Sequence, residues 1–151
     1  MRSLWIRAAL PLAASLWSGC AVGSPPVARG KPLRLIFISC SADAAFFEPV
    51  KKGMRDAASM LGVECTFTGT PGADAKAQVD LVRKAVAEKY DGIALNIIDP
   101  VAFDEVVAEA MRAGIPVVAF NVDDHATPNA RLSAVNQRLY EAGRTLGDFA
   151  A

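Results

Sequence analysis

The chain has 151 residues, of which 52% are hydrophobic, so it is long enough to bury the core of one folded domain. Lysine plus arginine and aspartate plus glutamate number 16 each, and this balance gives no general electrostatic reason to bind nucleic acid or an anionic surface. One histidine and three cysteines leave little material for a metal cage or a disulfide framework.

The first twenty residues have the composition of a secretory signal. Arg2 and Arg7 supply a positively charged start, and residues 8–17 form an apolar run that only a proline and a serine interrupt. This run is shorter than a membrane-spanning helix requires. We therefore expect residues 1–20 to direct the chain across the inner membrane to the periplasm or cell envelope.

Cys20 ends this segment and follows a stretch, Leu16 to Gly19, that resembles a bacterial lipobox except that Trp17 occupies the usual leucine position. Two outcomes remain open. Either Cys20 is lipidated, which would be the chain's expected attachment to a membrane, or the chain is cleaved near Ala21 without a lipid. Residues 21–32 contain glycines and prolines without periodicity, and we expect them to form a tether.

Five apolar or β-rich runs predict strands, and stretches with helical spacing predict helices between and after them. The predicted strands are residues 33–40, 63–68, 93–96, 116–120 and 132–135, and the predicted helices are residues 46–61, 75–89, 99–113 and 140–151. Gly62 and Gly114 are expected to end the first and third helices, and Asp99 to cap the third. The side chains that the first helix is expected to turn inward are Phe47, Val50, Met54, Ala57 and Leu61.

The order of these elements predicts the fold class. Strands that alternate with helices of about ten to fifteen residues indicate parallel β-α-β units with right-handed crossovers. The expected fold is therefore α/β, with an open parallel sheet and helices on both faces. The flavodoxin-like strand order is what the family resemblance described below implies. Because the sequence stops inside its last predicted helix, without a cap or a polar tail, we expect a truncated chain.

Polar and aromatic side chains follow the predicted strands. Because the carboxyl ends of parallel strands meet at one edge of an open sheet, we expect these side chains to form a ligand site. Amides, carboxylates and ring faces without a basic cluster suit a neutral, polyhydroxylated ligand such as a sugar. The candidate ligand-binding residues are Asp43, Phe46, Phe47, Thr70, Asn96, Asn121, Asp123 and Gln137.

Several of these residues also have a simpler structural interpretation. We expect Phe47 to pack inside and Phe46 to face the cleft. Thr70 begins a Thr-Pro-Gly sequence that is most simply a turn. Asp99 is more simply a helix cap than a ligand contact. Asn121 has the alternative role of fixing only its own loop.

The sequence gives little indication of metal, disulfide or catalytic chemistry. Asp123, Asp124 and His125 are adjacent in a predicted loop, and His125 is the single histidine of the chain. They are therefore a weak candidate for a metal site. Cys40 and Cys65 fall on neighbouring predicted strands at different heights, which argues against a disulfide. Glycine-rich phosphate loops, Gly-x-Ser-x-Gly elbows and zinc spacings are all missing from the sequence. We therefore expect neither enzymatic activity nor a cofactor nor a metal site.

Four stretches together resemble a known family. They are the aromatic pair Phe46-Phe47 before a helix, residues 90–96 (YDGIALN), residues 113–121 (AGIPVVAFN) and residues 140–144 (YEAGR). They are similar to the type I periplasmic sugar-binding proteins of the ribose-binding kind, over the chain from about residue 33 onward. The resemblance implies two lobes that close on a sugar, which the bound protein presents to the permease of an ABC importer. Residues 33–136 would then form the N-terminal lobe, and residues 137–151 would begin the second.

The chain also departs from the ribose-binding pattern. Ribose-type members have an aspartate and then an arginine at the end of the fourth strand, where this chain has Asn121 and Val122. They often have an asparagine two residues before the aromatic pair, where this chain has Ala44; Asp43 would substitute from one position earlier. These differences imply a sugar or polyol other than ribose and leave its identity open.

Three other functions remain as alternatives. A periplasmic sensor that presents its sugar to a receptor has the same sequence features as an importer subunit. The effector domain of a lactose-repressor-type regulator would need a helix-turn-helix before the sheet, where this chain has a signal segment instead. A phosphoacceptor receiver on a flavodoxin-like sheet would need a lysine after the fifth strand, where Gln137 and Arg138 stand.

Overall fold

The structure, a computed structural model, describes residues 30–99, 101–123 and 129–150. The predicted signal segment, the lipidation of Cys20 and most of the tether lie outside these residues, as does His125. None of the helices in the described ranges is both long enough and apolar enough to cross a lipid bilayer.

Five strands and four helices make up the described part of the chain. They are β1 (Arg34–Ser39), α1 (Glu48–Leu61), β2 (Glu64–Gly69), α2 (Ala75–Ala87), β3 (Gly92–Leu95), α3 (Asp104–Arg112), β4 (Val117–Asn121), β5 (Ser133–Asn136) and α4 (Leu139–Ala150). The strands form one sheet in the order β2-β1-β3-β4-β5, and every neighbouring pair is parallel. This is the expected flavodoxin-like order.

One face of the sheet carries the hydrophobic core. Ile36 and Ile38 of β1 point to the same side as Leu95 and Val117, because side chains alternate along each strand. The helices α2 and α3 cover this side and contact each other. The helical spacing of Phe103, Val106, Val107, Ala110 and Met111 predicts that these side chains face inward. The first four are buried and Met111 is partly buried against the same core, so the prediction is confirmed for four of the five.

The other face is covered only in part. Helix α1 lies against the edge strand β2, and the ring of Phe47, directly before the helix, contacts Phe67 of that strand. Beside α1 the sheet carries an open apolar trough of about 810 Å³, lined in part by Phe37 and Phe120. The predicted inward stripe holds only in part: Phe47, directly before α1, is buried, and Val50 and Met54 are half-buried. The helix itself has no fully buried residue, and at its end Leu61 is 73% exposed.

The helix ends follow their local sequence, with one exception. Gly62 and Gly114 adopt φ angles of 68° and 79° where α1 and α3 end, as predicted. Asp99 does not cap α3, although its Oδ1 accepts hydrogen bonds from the backbone nitrogens of Val101 and Ala102 at 2.9 and 2.8 Å. These bonds form a turn, and the helix begins only after it, at Asp104.

Candidate functional site

The loops after β1 and β2 are tied together at the carboxyl edge of the sheet. The Ala42 nitrogen donates to the Thr70 carbonyl at 2.9 Å, and the Thr70 nitrogen donates to the Ser39 carbonyl at 3.1 Å. The Thr70 hydroxyl donates to the carbonyl of Cys40 at 3.2 Å and is 2.5 Å from that of Gly72. Thr70 is 5% exposed, so the structure places this candidate within the loop junction.

The two adjacent phenylalanines have opposite environments. Phe47 is 3% exposed and its ring contacts those of Phe67 and Phe120, with centroids 5.9 and 6.3 Å apart. Phe46 is 67% exposed and meets Phe47 edge-on at 5.0 Å. The expectation that Phe47 packs inward is confirmed. Asp43, in the turn that follows β1, is exposed as well.

The side chain of Asn96 is buried at the carboxyl edge of the sheet and connects three strands. It is 0% exposed. Its Oδ1 accepts from the Ser39 hydroxyl and from the Cys40 nitrogen, both at 3.3 Å, and its Nδ2 donates to the Phe120 carbonyl at 2.6 Å. The amide therefore connects the ends of β1, β3 and β4.

Asn121 and Asn136 end neighbouring strands in direct register, so their side chains emerge from adjacent positions. Together with Gln137 they line a concave site of about 280 Å³ at the carboxyl ends of β4 and β5. This volume is close to the lower end of small-molecule pockets. Each amide can donate to one hydroxyl and accept from another. Asn136 was not among the residues predicted from the sequence to bind a ligand, although it directly precedes Gln137.

Asp123 also lines this site, and an ion pair with Arg131 fixes its side chain. The Asp123 Oδ2 accepts a hydrogen bond from Nη2 of Arg131 at 2.8 Å, and Oδ1 lies 2.7 Å from Nε as an ion-pair contact. The Asp123 side chain is 2% exposed and that of Arg131 is 14% exposed. Arg131 was not predicted from the sequence, because it lies eight residues from its partner in an irregular segment. A charged pair of this spacing in a loop carries no periodic signal that would have revealed it.

The edge carries little reactive chemistry. Burial raises the pKa of the Cys40 thiol, which keeps it protonated at neutral pH. Cys40 and Cys65 are both free thiols, as expected, and Cys65 is in register with Leu35 at the far end of β1. Among the described ranges, no cluster of three or more histidine, cysteine, aspartate or glutamate side chains could hold a metal ion. The arrangement is suited to hydrogen bonding and to covering an apolar ring face.

Comparison with known proteins assigns a family to this architecture. The family model described as a periplasmic binding protein domain matches residues 35–151. The chain is also 32% identical, over 124 residues, to a xylose/arabinose-binding protein, XylF, of Sulfolobus acidocaldarius. That alignment covers 76% of this chain and 30% of the relative.

Solved structures show the same fold. A sugar-binding protein of a sugar ABC transporter from Bacillus halodurans has a TM-score of 0.72 and 29% identity, and the match covers 78% of this chain and 40% of that one. AraP, an arabinose-binding protein from Geobacillus stearothermophilus, has a TM-score of 0.72 and 28% identity, covering 80% and 41%. The chain thus spans less than half the length of these relatives. It belongs to the periplasmic binding protein domain family.

Proposed function

We propose that this chain forms one lobe of the sugar-binding component of an ABC importer and binds a neutral monosaccharide or polyol in a cleft against a second lobe. The observation that carries the proposal is the register of Asn121 and Asn136 beside Gln137, which gathers three uncharged amides at one edge of the sheet. Adjacent sugar hydroxyls need this alternation of donors and acceptors. The names of the relatives, which bind xylose and arabinose, make pentoses the first ligands to test.

The proposed contact residues are those with exposed or half-buried side chains at this edge. Asn121, Asn136 and Gln137 would bond hydroxyls from the β4–β5 side. Asp43 would accept from hydroxyls on the β1 side, and Phe46 would cover the apolar face of the sugar ring.

Four further candidates form a supporting layer beneath these contacts. Phe47, Thr70 and Asn96 are buried, and the carboxylate of Asp123 is engaged by Arg131. We propose that they fix the geometry of the edge. A buried, fully bonded side chain acts on a ligand mainly through the residues that it holds in place.

We also propose that the chain is exported across the inner membrane. Residues 1–20 would serve for export, with the mature protein in the periplasm or cell envelope and Cys20 as the candidate lipid anchor. Residues 137–151 would lead toward the second lobe, and the permease of the importer would be the protein partner. The family and its named relatives support a binding protein and not an enzyme.

A ligand screen on the full-length protein tests this function. Thermal unfolding would be measured with xylose, arabinose, ribose, glucose and galactose, and with an amino acid and an inorganic anion as controls. A sugar at one hundred times its dissociation constant should stabilise the protein by about 2.7 kcal/mol. Stabilisation by the amino acid or the anion, without stabilisation by any of the sugars, would refute the proposal.

A further inference from the structure

The backbone at the end of β4 has an unusual local conformation. The Val122 nitrogen donates to the Phe120 carbonyl at 2.7 Å, a hydrogen bond that spans two residues. Asn121, between them, has a φ angle of 61°. A bond of this span around a residue with positive φ defines a γ-turn of the rare, strained kind. Such strain persists only where the surrounding structure enforces it, and it is concentrated at functional sites.

The residues that enforce this turn lie on the neighbouring strand. The side-chain Nδ2 of Asn96 donates to the same Phe120 carbonyl at 2.6 Å, which fixes the peptide unit before Asn121. The Ile97 nitrogen donates to the Val122 carbonyl at 3.1 Å, which restrains the residue after it. The turn is thus held on both sides by two consecutive residues that follow β3.

The bonds of Asn96 also determine the orientation of its amide. The Cys40 nitrogen can only donate, so it must face Oδ1, and the Phe120 carbonyl can only accept, so it must face Nδ2. Aspartate would lack the donor, and leucine would lack both groups. Asparagine therefore satisfies the end of β1 and the end of β4 with one side chain, without access to solvent.

We propose that Asn96 is a positioning residue that holds the strained turn and thereby aims the side chain of Asn121 into the ligand site. The inference rests on the proposed function in one respect, namely that Asn121 contacts the sugar. It assigns Asn96 an indirect role in affinity, because the side chain acts through the Phe120 peptide and has no exposed surface of its own.

A double-mutant cycle on the full-length protein separates this role from direct contact. Sugar affinity would be measured by calorimetry, with arabinose and xylose, for Asn96→Ala, Asn121→Gly and the double variant. Asn96→Ala should weaken binding about ten-fold, the effect of losing one hydrogen bond. In the Asn121→Gly background the same change should leave affinity unaltered, because no side chain remains to be aimed. Additive losses would overturn the proposal and indicate direct contact by Asn96.

Gln78 offers a matched control. It is also buried, and its Nε2 donates to the backbone carbonyl of Asn96 at 3.2 Å, so it bonds the backbone of Asn96 and not its side-chain amide. Gln78→Met removes a buried hydrogen bond at nearly constant volume, so it should lower the melting temperature and leave sugar affinity unchanged. If Gln78→Met weakens binding as much as Asn96→Ala does, general destabilisation explains both effects and the positioning role is wrong.

A measurement without ligand distinguishes the positioning role of Asn96 from the proposed sugar-binding function. In solution NMR of the isotopically labelled wild-type protein, the Asn96 side-chain amide should exchange slowly and show scalar coupling to the Phe120 carbonyl carbon. In Asn96→Ala the Val122 amide should exchange faster than in wild type. Absence of the coupling in wild type would refute the positioning role even if sugar binds. Conversely, a wild-type protein that shows the coupling and binds no sugar would refute the proposed function alone.

Discussion

Substitution of Asn121 separates a requirement of the backbone from a contact with the ligand. Its φ angle of 61° lies in the left-handed region, which costs a residue with a Cβ roughly 1–2 kcal/mol and costs glycine almost nothing. Asparagine tolerates this region better than alanine does. We therefore expect Asn121→Ala to lower the free energy of unfolding by about 1 kcal/mol, and Asn121→Gly to change it by less than that.

Ligand affinity should respond differently from stability. Both substitutions remove the amide, so both should weaken sugar binding by about 1–3 kcal/mol, which corresponds to roughly 5- to 150-fold in the dissociation constant. Asn121→Asp tolerates the same backbone conformation and keeps two acceptors, but it loses the donor. It should therefore weaken binding least for sugars that mainly donate to this position.

Calorimetric titration and urea unfolding of the wild type and the three variants test both parts. Lys89 provides a control, because it also has a positive φ angle, 56°, but lies after α2, before the strand rather than at its carboxyl end. Lys89→Gly should leave sugar affinity unchanged. Wild-type affinity in Asn121→Gly would refute the ligand contact, and equal stability of the alanine and glycine variants at position 121 would refute the backbone argument.

Three further substitutions test the packing around the site. Phe103→Ala, which empties a position that is 1% exposed, should lower the free energy of unfolding by about 3–5 kcal/mol in urea titrations, and a loss below 1 kcal/mol would contradict its place in the core. Gly69→Ala would place a Cβ 2.1 Å from the Ser39 carbonyl oxygen, so we expect it to lower the melting temperature. An unchanged melting temperature would contradict the close packing of β1 and β2 at this point. Arg131→Ala leaves the Asp123 carboxylate buried without this partner and should cost about 3 kcal/mol in the same unfolding assay, with partial recovery when Asp123→Asn is added; no recovery would show that the ion pair is not the cause.

Local sequence signals were sufficient for the order and type of the elements. Apolar runs such as residues 93–96 and 116–120 predicted strands, and Gly62 and Gly114 correctly predicted the ends of two helices. These signals depend on residues close in the chain, and the parallel topology of β1 to β4 follows because a helix connects each successive pair of these strands. The same reasoning placed the start of α3 too early, since Asp99 stabilises a separate turn before the helix.

The sequence by itself thus determined the fold class, the strand order and the edge of the sheet at which polar groups collect, because periodicity and chirality act locally. Only the tertiary structure decided which of those groups are available to a ligand. It buried Asn96 between three strands, paired Asp123 with Arg131, and set Asn121 opposite Asn136 on a strained turn. Each of these outcomes depends on contacts between separate segments that no local pattern encodes. The physical reason is that burial and hydrogen-bond partnership are properties of the assembled sheet, whereas secondary structure preference is a property of the chain.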